Sequence, residues 1–162
     1  MVKKTKKEVK KSKGFKTVEM FTKQLLTLLE LPGDFEISEE KEEIRVNLRT
    51  NNPALLIGYH GETLFSLQFL LSLMAYKKLG EWVRVLVDVD GYRQRRQEVL
   101  ERMAFSVAQK VKFSGEEQSL PPMGSAERRI IHLTLANQPG IKTESFGEGS
   151  ERHVVVKPEK VN

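Results

Sequence analysis

Hydrophobic positions along this chain change period several times, and each change marks an element. Val18, Phe21, Leu25 and Leu28 recur at helical spacing, with Leu29 beside them. Thr17 is placed to cap that helix. Leu31-Pro32-Gly33 stops it, because proline cannot continue a helix and glycine permits a turn. The period then falls to two. Phe35 and Ile37 alternate with polar residues, and Ile44, Val46 and Leu48 alternate with Arg45, Asn47 and Arg49. That is the pattern of strands with one wet face. The polar stretch from Ser38 to Glu43 predicts the hairpin turn between them. Asn52-Pro53 offers a cap and a first helical residue for a short helix over Ala54, Leu55, Leu56 and Ile57. It breaks at Gly58-Tyr59-His60-Gly61, and a longer helix follows at once. Leu64, Leu67, Leu71 and Met74 share one face of it, Phe65, Phe69 and Tyr76 flank them, and Gly80 ends it. A strand then runs from Trp82 to Val89, with Val83, Val85, Val87 and Val89 on a buried face and Trp82 and Leu86 opposite. Asp90-Gly91 closes a unit that reads α-β-β-α-α-β.

The rest of the chain has another rhythm. Residues 92–112 predict a long helix with Val99, Met103, Val107 and Val111 inward and Arg93, Arg95, Arg96 and Arg102 near its start. Ser114-Gly115 ends it, and residues 116–120 suit a short strand before Pro121-Pro122. Ser125 caps a helix over residues 126–137, which Pro139-Gly140 terminates. Ile141 to Phe146 and Arg152 to Val156 read as strands joined by Gly147-Glu148-Gly149, and Pro158 ends the order. No internal repeat is present. The fold class is α+β, with a Lys-rich disordered tail over residues 1–16, one small domain over 17–91 and a second over 92–158.

Charge changes the picture only when it is divided. Residues 1–16 hold eight Lys and one Glu, residues 17–90 hold seven Lys/Arg and twelve Asp/Glu, and residues 91–162 hold twelve and nine. The net +5 therefore comes from the tail, and the first domain is acidic. A nucleic-acid argument must rest on local sites rather than on overall basicity. The tail lacks the apolar content to offset the entropy of ordering, and serves as a solubilising segment or an electrostatic arm for phosphates. There is no cysteine, which fits a reducing compartment and removes thiolate metal sites. No apolar run approaches a membrane span and no secretory signal opens the chain, so the default location is the cytoplasm.

Two motifs carry chemistry. Gly58-x-x-Gly61 lies between a short apolar helix and a long amphipathic one. Glycines let the backbone turn sharply and admit a phosphate where a Cβ would block it. The helix that follows supplies N–H groups and a positive dipole end. A helix–turn–helix corner without a ligand is the plain alternative. With its α-β-β-α-α-β order, the segment ALLIGYHGETLFSLQFLLSL resembles a prokaryotic-type (type II) KH domain, whose loop clamps the backbone of about four unpaired nucleotides. Tyr59 and His60 stand where such loops often carry Lys or Arg, which implies weaker and less salt-dependent binding. Tyr59 is able to stack or donate a hydrogen bond, and Ile57 and Leu64 would form an apolar platform.

The second motif is Arg128 and His132, four apart and therefore on one helix face, with Arg129 adjacent. Arginine forks onto phosphate, and histidine bonds a base or phosphate or packs structurally. The segment from Leu120 to Pro158 resembles the R-three-H domain, which binds single-stranded nucleic acid, and its signature pair falls on Arg128 and His132.

A KH domain followed directly by an R-three-H domain resembles the bacterial Jag/KhpB family. That resemblance implies single-stranded RNA binding, with single-stranded DNA as an alternative ligand, and a link to cell-envelope growth and division. It also implies pairing with a small KH-only protein, and self-association is a further expectation. Members often carry a separate N-terminal Jag domain, and here a Lys-rich tail stands in its place.

Other classes fit less well. Glu39, Glu40, Glu42 and Glu43 surround a predicted turn and read as a solvated charge run. His60, His132 and His153 lack metal spacing, and no P-loop Lys-Ser/Thr follows Gly58. We therefore expect no catalysis, no metal and no cofactor. A protein-interaction adaptor is the main rival, acting through the KH sheet face with Trp82 and Leu86.

Overall fold

Ser12, not Thr17, starts the first helix. Its hydroxyl accepts a hydrogen bond from the Phe15 backbone N–H at 3.0 Å, and the helix α1 runs Lys13–Leu28. The computed structural model describes residues 12–31 and 33–159, so the tail expectation for residues 1–11 lies outside the described residues. Residues 13–16 are helical rather than tail, because Phe15 is 6% exposed and adds a hydrophobic anchor one turn ahead of Val18. Lysines on either side of it mask that signal. Leu28 and Leu29, by contrast, are exposed.

Strands β1 (Gly33–Glu40) and β2 (Glu43–Thr50) pair antiparallel, and Glu40 lies opposite Glu43. The hairpin turn is thus only Lys41-Glu42, both at positive φ, the twist that two-residue hairpins favour. Ser38, Glu39 and Glu40 belong to the strand: β1 is an edge, so polar side chains there stay wet while their backbone pairs. Helix α2 (Pro53–Ile57) follows without a side-chain cap, since Asn52 (φ −129, ψ 71) is not in cap geometry. After the glycine loop, α3 (Glu62–Leu79) crosses back and ends at Gly80, whose φ is 78. Strand β3 (Arg84–Val89) pairs parallel with β2, and the sheet order is β1-β2-β3. Val18, Leu25, Ile44, Val46, Leu48, Leu64, Leu67, Leu71, Val85, Val87 and Val89 form its core with α1 and α3 over the sheet. The Gln68 side chain accepts from the Val87 N–H at 3.1 Å, which covers the outer edge of β3. Trp82 lies before β3 rather than in it. It stacks on Tyr76 at 4.5 Å, so it does not share a strand face with the half-buried Leu86.

The chain divides after Tyr92 into a second compact unit. Helix α4 (Tyr92–Ser114) buries Leu100, Ala104, Ala108 and Val111. Val99 is 38% exposed and not inward. Val111 is buried as expected and Met103 and Val107 pack half-buried against this core, while Leu100 and two alanines complete the stripe, the alanines being small residues that give little hydrophobic signal but let neighbours come close. Strands β4 (Gln118–Ser119), β5 (Ile141–Phe146) and β6 (His153–Pro158) form an antiparallel sheet in the order β4-β6-β5. Helix α5 (Ser125–Leu135) starts one residue earlier than expected: Gly124 holds the cap position and Ser125 is already helical. Ile131 and Leu135 join Ile141, Val154, Val156 and the α4 stripe in this core. At its edge Arg96 forks onto the buried Glu127 at 2.7 and 3.0 Å.

Two stability changes follow. Phe15→Ala removes a buried ring and lowers the first unit's stability by about 3 kcal/mol, seen as a lower urea midpoint; an unchanged midpoint would place residues 13–16 outside the folded unit. Glu127→Ala removes the buried carboxylate onto which Arg96 forks and costs the second unit about 3 kcal/mol in the same assay.

Candidate nucleic-acid interface

The glycine loop is a backbone device. Gly58 (φ 68, ψ −168) ends α2, a single 3-10 turn spans Tyr59–Gly61, and Gly61 (φ 90, ψ 9) leads into α3. A Cβ on Gly58 would collide with the Thr63 side chain, and one on Gly61 would sit 3.1 Å from the Tyr92 ring. Positive φ and close packing together require glycine at both positions. No side chain caps the N-terminus of α3, so its first turn points its positive end toward the loop. His60 also has positive φ, at 50, and its ring stacks on Tyr59 with centroids 4.1 Å apart and planes 13° apart. Tyr59 is exposed and Ile57 half-buried. Leu64 is 0% exposed and belongs to the core, not to a surface platform. Spacing places it one turn into α3, but helix rotation turns it inward.

The second site is a polar seam between α5 and β5. Arg128 donates from Nη1 to Ser145 Oγ at 3.2 Å and from Nε to the Met123 carbonyl at 3.3 Å. His132 Nδ1 lies 2.7 Å from Thr143 Oγ1, and its Nε2 lies 2.9 Å from Ser145 Oγ. A guanidinium only donates, so Ser145 accepts from Arg128 and has its own proton to give to His132 Nε2. In the tautomer that this arrangement favours, Nδ1–H donates to Thr143 Oγ1. Burial first, and the Arg128 charge second, hold the His132 pKa below its ordinary value, so the ring is neutral near pH 7. Arg128 Nη2 has no partner among the described residues and is suited to an anion. Arg129 is exposed on another part of the helix surface.

The structure thus brings Arg128 and His132 together and leaves Arg129 apart from them. Thr143 and Ser145 were not singled out in the sequence. The available signal was strand alternation, which sets Ile141, Thr143 and Ser145 on one face, with Ile141 buried. The loop residues 57–61 lie in the first unit and the seam in the second.

The family model for the KhpA/KhpB KH domain matches residues 16–88, and that for the R-three-H domain matches residues 98–158. The RNA-binding protein KhpB of Clostridium symbiosum is 40% identical over 144 residues, which are 88% of this chain and 65% of that protein. KhpB of Bacillus subtilis (strain 168) is 38% identical over 126 residues, 76% of this chain and 61% of its own. KhpB of Lactiplantibacillus plantarum is 38% identical over 128 residues, 79% and 40% respectively. The chain spans less than two thirds of the length of each of these relatives. With both domain types present in this order and relatives of one name aligned across them, the chain belongs to the Jag/KhpB family.

Proposed function

We propose that this chain is a non-catalytic, single-stranded RNA-binding protein that clamps the RNA backbone at Gly58–Gly61 and makes a second contact at Arg128 and His132. The observation that carries this reading is the loop. Two glycines at positive φ set an uncapped helix N-terminus behind a turn, an arrangement suited to a phosphate. The relatives' names as RNA-binding proteins support the same reading. The seam adds a guanidinium with an open nitrogen. Two linked weak sites raise overall affinity through effective concentration. A role in cell-envelope growth and division, a cytoplasmic location, a small KH-only partner and self-association are proposed on family membership alone. No helix among the described residues is long and apolar enough to cross a membrane.

The glycines are poor probes, because substituting them disturbs the loop itself. Tyr59→Asp with His60→Asp puts two negative charges at the clamp on side chains outside the core. We expect this double variant to bind an unstructured RNA about tenfold more weakly or worse, ~1.4 kcal/mol, in a fluorescence titration. Arg128→Ala with His132→Ala should weaken binding further when combined with it. A deletion testing the Lys-rich tail should remove residues 2–11 only, since Ser12 caps α1 and Phe15 is core. If that deletion alone abolishes binding while both site variants bind normally, the domains are not RNA readers and the adaptor reading replaces this one.

The depressed His132 pKa also gives a pH signature. The unfolded chain, with histidine near 6.5, takes up a proton before the folded chain does. Stability of the second unit therefore falls as pH drops through about 6.5 and levels off below the folded-state pKa. His132→Gln should flatten that dependence in urea midpoints measured from neutral to mildly acidic pH.

A further inference from the structure

The loop that should hold phosphate contains no lysine or arginine. From Ile57 to Thr63 the chain reads Ile-Gly-Tyr-His-Gly-Glu-Thr, and Glu62 occupies the first turn of α3, where its charge competes with a phosphate for the helix end. Backbone N–H groups remain, but Coulomb attraction is small. What the loop displays instead is an aromatic ring. Tyr59 is 71% exposed. One of its faces is covered by the His60 ring at 4.1 Å and 13°, so that exposure belongs largely to the opposite face and edge. A lone exposed aromatic is ordinary. This one is backed by a second ring, on a residue held at positive φ, between two glycines whose conformations are required by packing. Backbone held in a sparsely populated region at a binding loop is a reason to ask what it positions. Here it positions a flat, preordered surface at the mouth of the clamp.

We propose that Tyr59 is a base-stacking platform, and that the loop holds an unpaired nucleobase on the open face of the Tyr59–His60 stack while its backbone holds the neighbouring phosphate. The assignment rests on the RNA-binding reading above and adds to it the chemical group the loop recognises. A stacked base is gripped through its π face, so selectivity follows ring area: purines are preferred to pyrimidines, with no hydrogen-bond code. His60 acts as a positioning residue, supporting Tyr59 from behind. Because stacking involves no ion release, the Tyr59 contribution is nearly independent of salt, unlike phosphate contacts.

The test uses the full chain and an unstructured RNA carrying 2-aminopurine, whose fluorescence is quenched by stacking. A matching strand has abasic spacers in place of bases. Tyr59→Phe should bind and quench like wild type. Tyr59→Leu should lose about 5- to 100-fold in affinity for the base-bearing strand, lose the quenching, and bind the abasic strand as wild type does. The loss should be equal at low and high salt. His60→Asn keeps a residue that tolerates positive φ and should show a smaller loss in the same direction. Wild-type binding with Tyr59→Leu unaffected overturns the assignment, and so does Tyr59→Phe losing as much as Tyr59→Leu, which would show the hydroxyl bonding phosphate. Equal losses on the base-bearing and abasic strands overturn it as well. In all three cases RNA binding itself stands. Absence of binding by wild type to either strand overturns both this assignment and the RNA-binding reading.

Discussion

The parallel pairing of β2 with β3 is the constraint on which the first unit depends. Parallel neighbours cannot be joined by a tight turn, so the chain must leave β2, cross the sheet and return. Residues 51–83 make that crossing, and its helices bury Leu56, Leu64, Leu67 and Leu71 over the core that includes Val85, Val87 and Val89. The glycine loop sits within the crossover, between Leu56 at 3% exposure and Leu64 at 0%. Anchors on both sides fix the ends of the loop, although its own residues contribute little to the core. The proposed site for a flexible strand is thus built on a segment whose ends are held by hydrophobic burial.

The second unit solves a different problem. Its sheet is antiparallel and short, and α4 supplies much of its apolar surface. The side of α5 that meets β5 is partly polar. Arg128, His132, Thr143 and Ser145 satisfy one another there, which removes most of the cost of partial burial. The same contacts hold the Arg128 guanidinium and the imidazole in fixed positions. Preordered polar groups lose less entropy when a ligand arrives. The Arg96–Glu127 pair acts one step away, fixing the first turn of α5, where Arg128 begins the seam.

Electrostatics divide the chain unevenly. The first unit's loop lies in an acidic stretch of sequence and relies on backbone geometry and aromatic surface. The second unit carries its cation in the site itself. Under the proposed function these would be two physical routes to one class of ligand, one weakly and one strongly dependent on charge.

Period, with proline and glycine as stops, located the strands and helices but not all of their ends, because a half-buried strand must alternate and an amphipathic helix must repeat every three to four residues. Gly58-x-x-Gly61 and Arg128/His132 were legible for the same reason: their chemistry depends on local spacing. Other features needed the third dimension. Choosing Ser12 over Thr17 as a cap depends on whether Phe15 finds a core. The inward turn of Leu64 and outward turn of Val99 depend on how each helix is rotated against its neighbours. Thr143 and Ser145 became partners of His132 only when β5 was laid beside α5, and the Tyr59–His60 stack forms on a loop in which His60 adopts positive φ. Each of these is settled by atoms distant in sequence or by a backbone state that a residue's identity does not dictate, and tertiary packing alone decides between such alternatives.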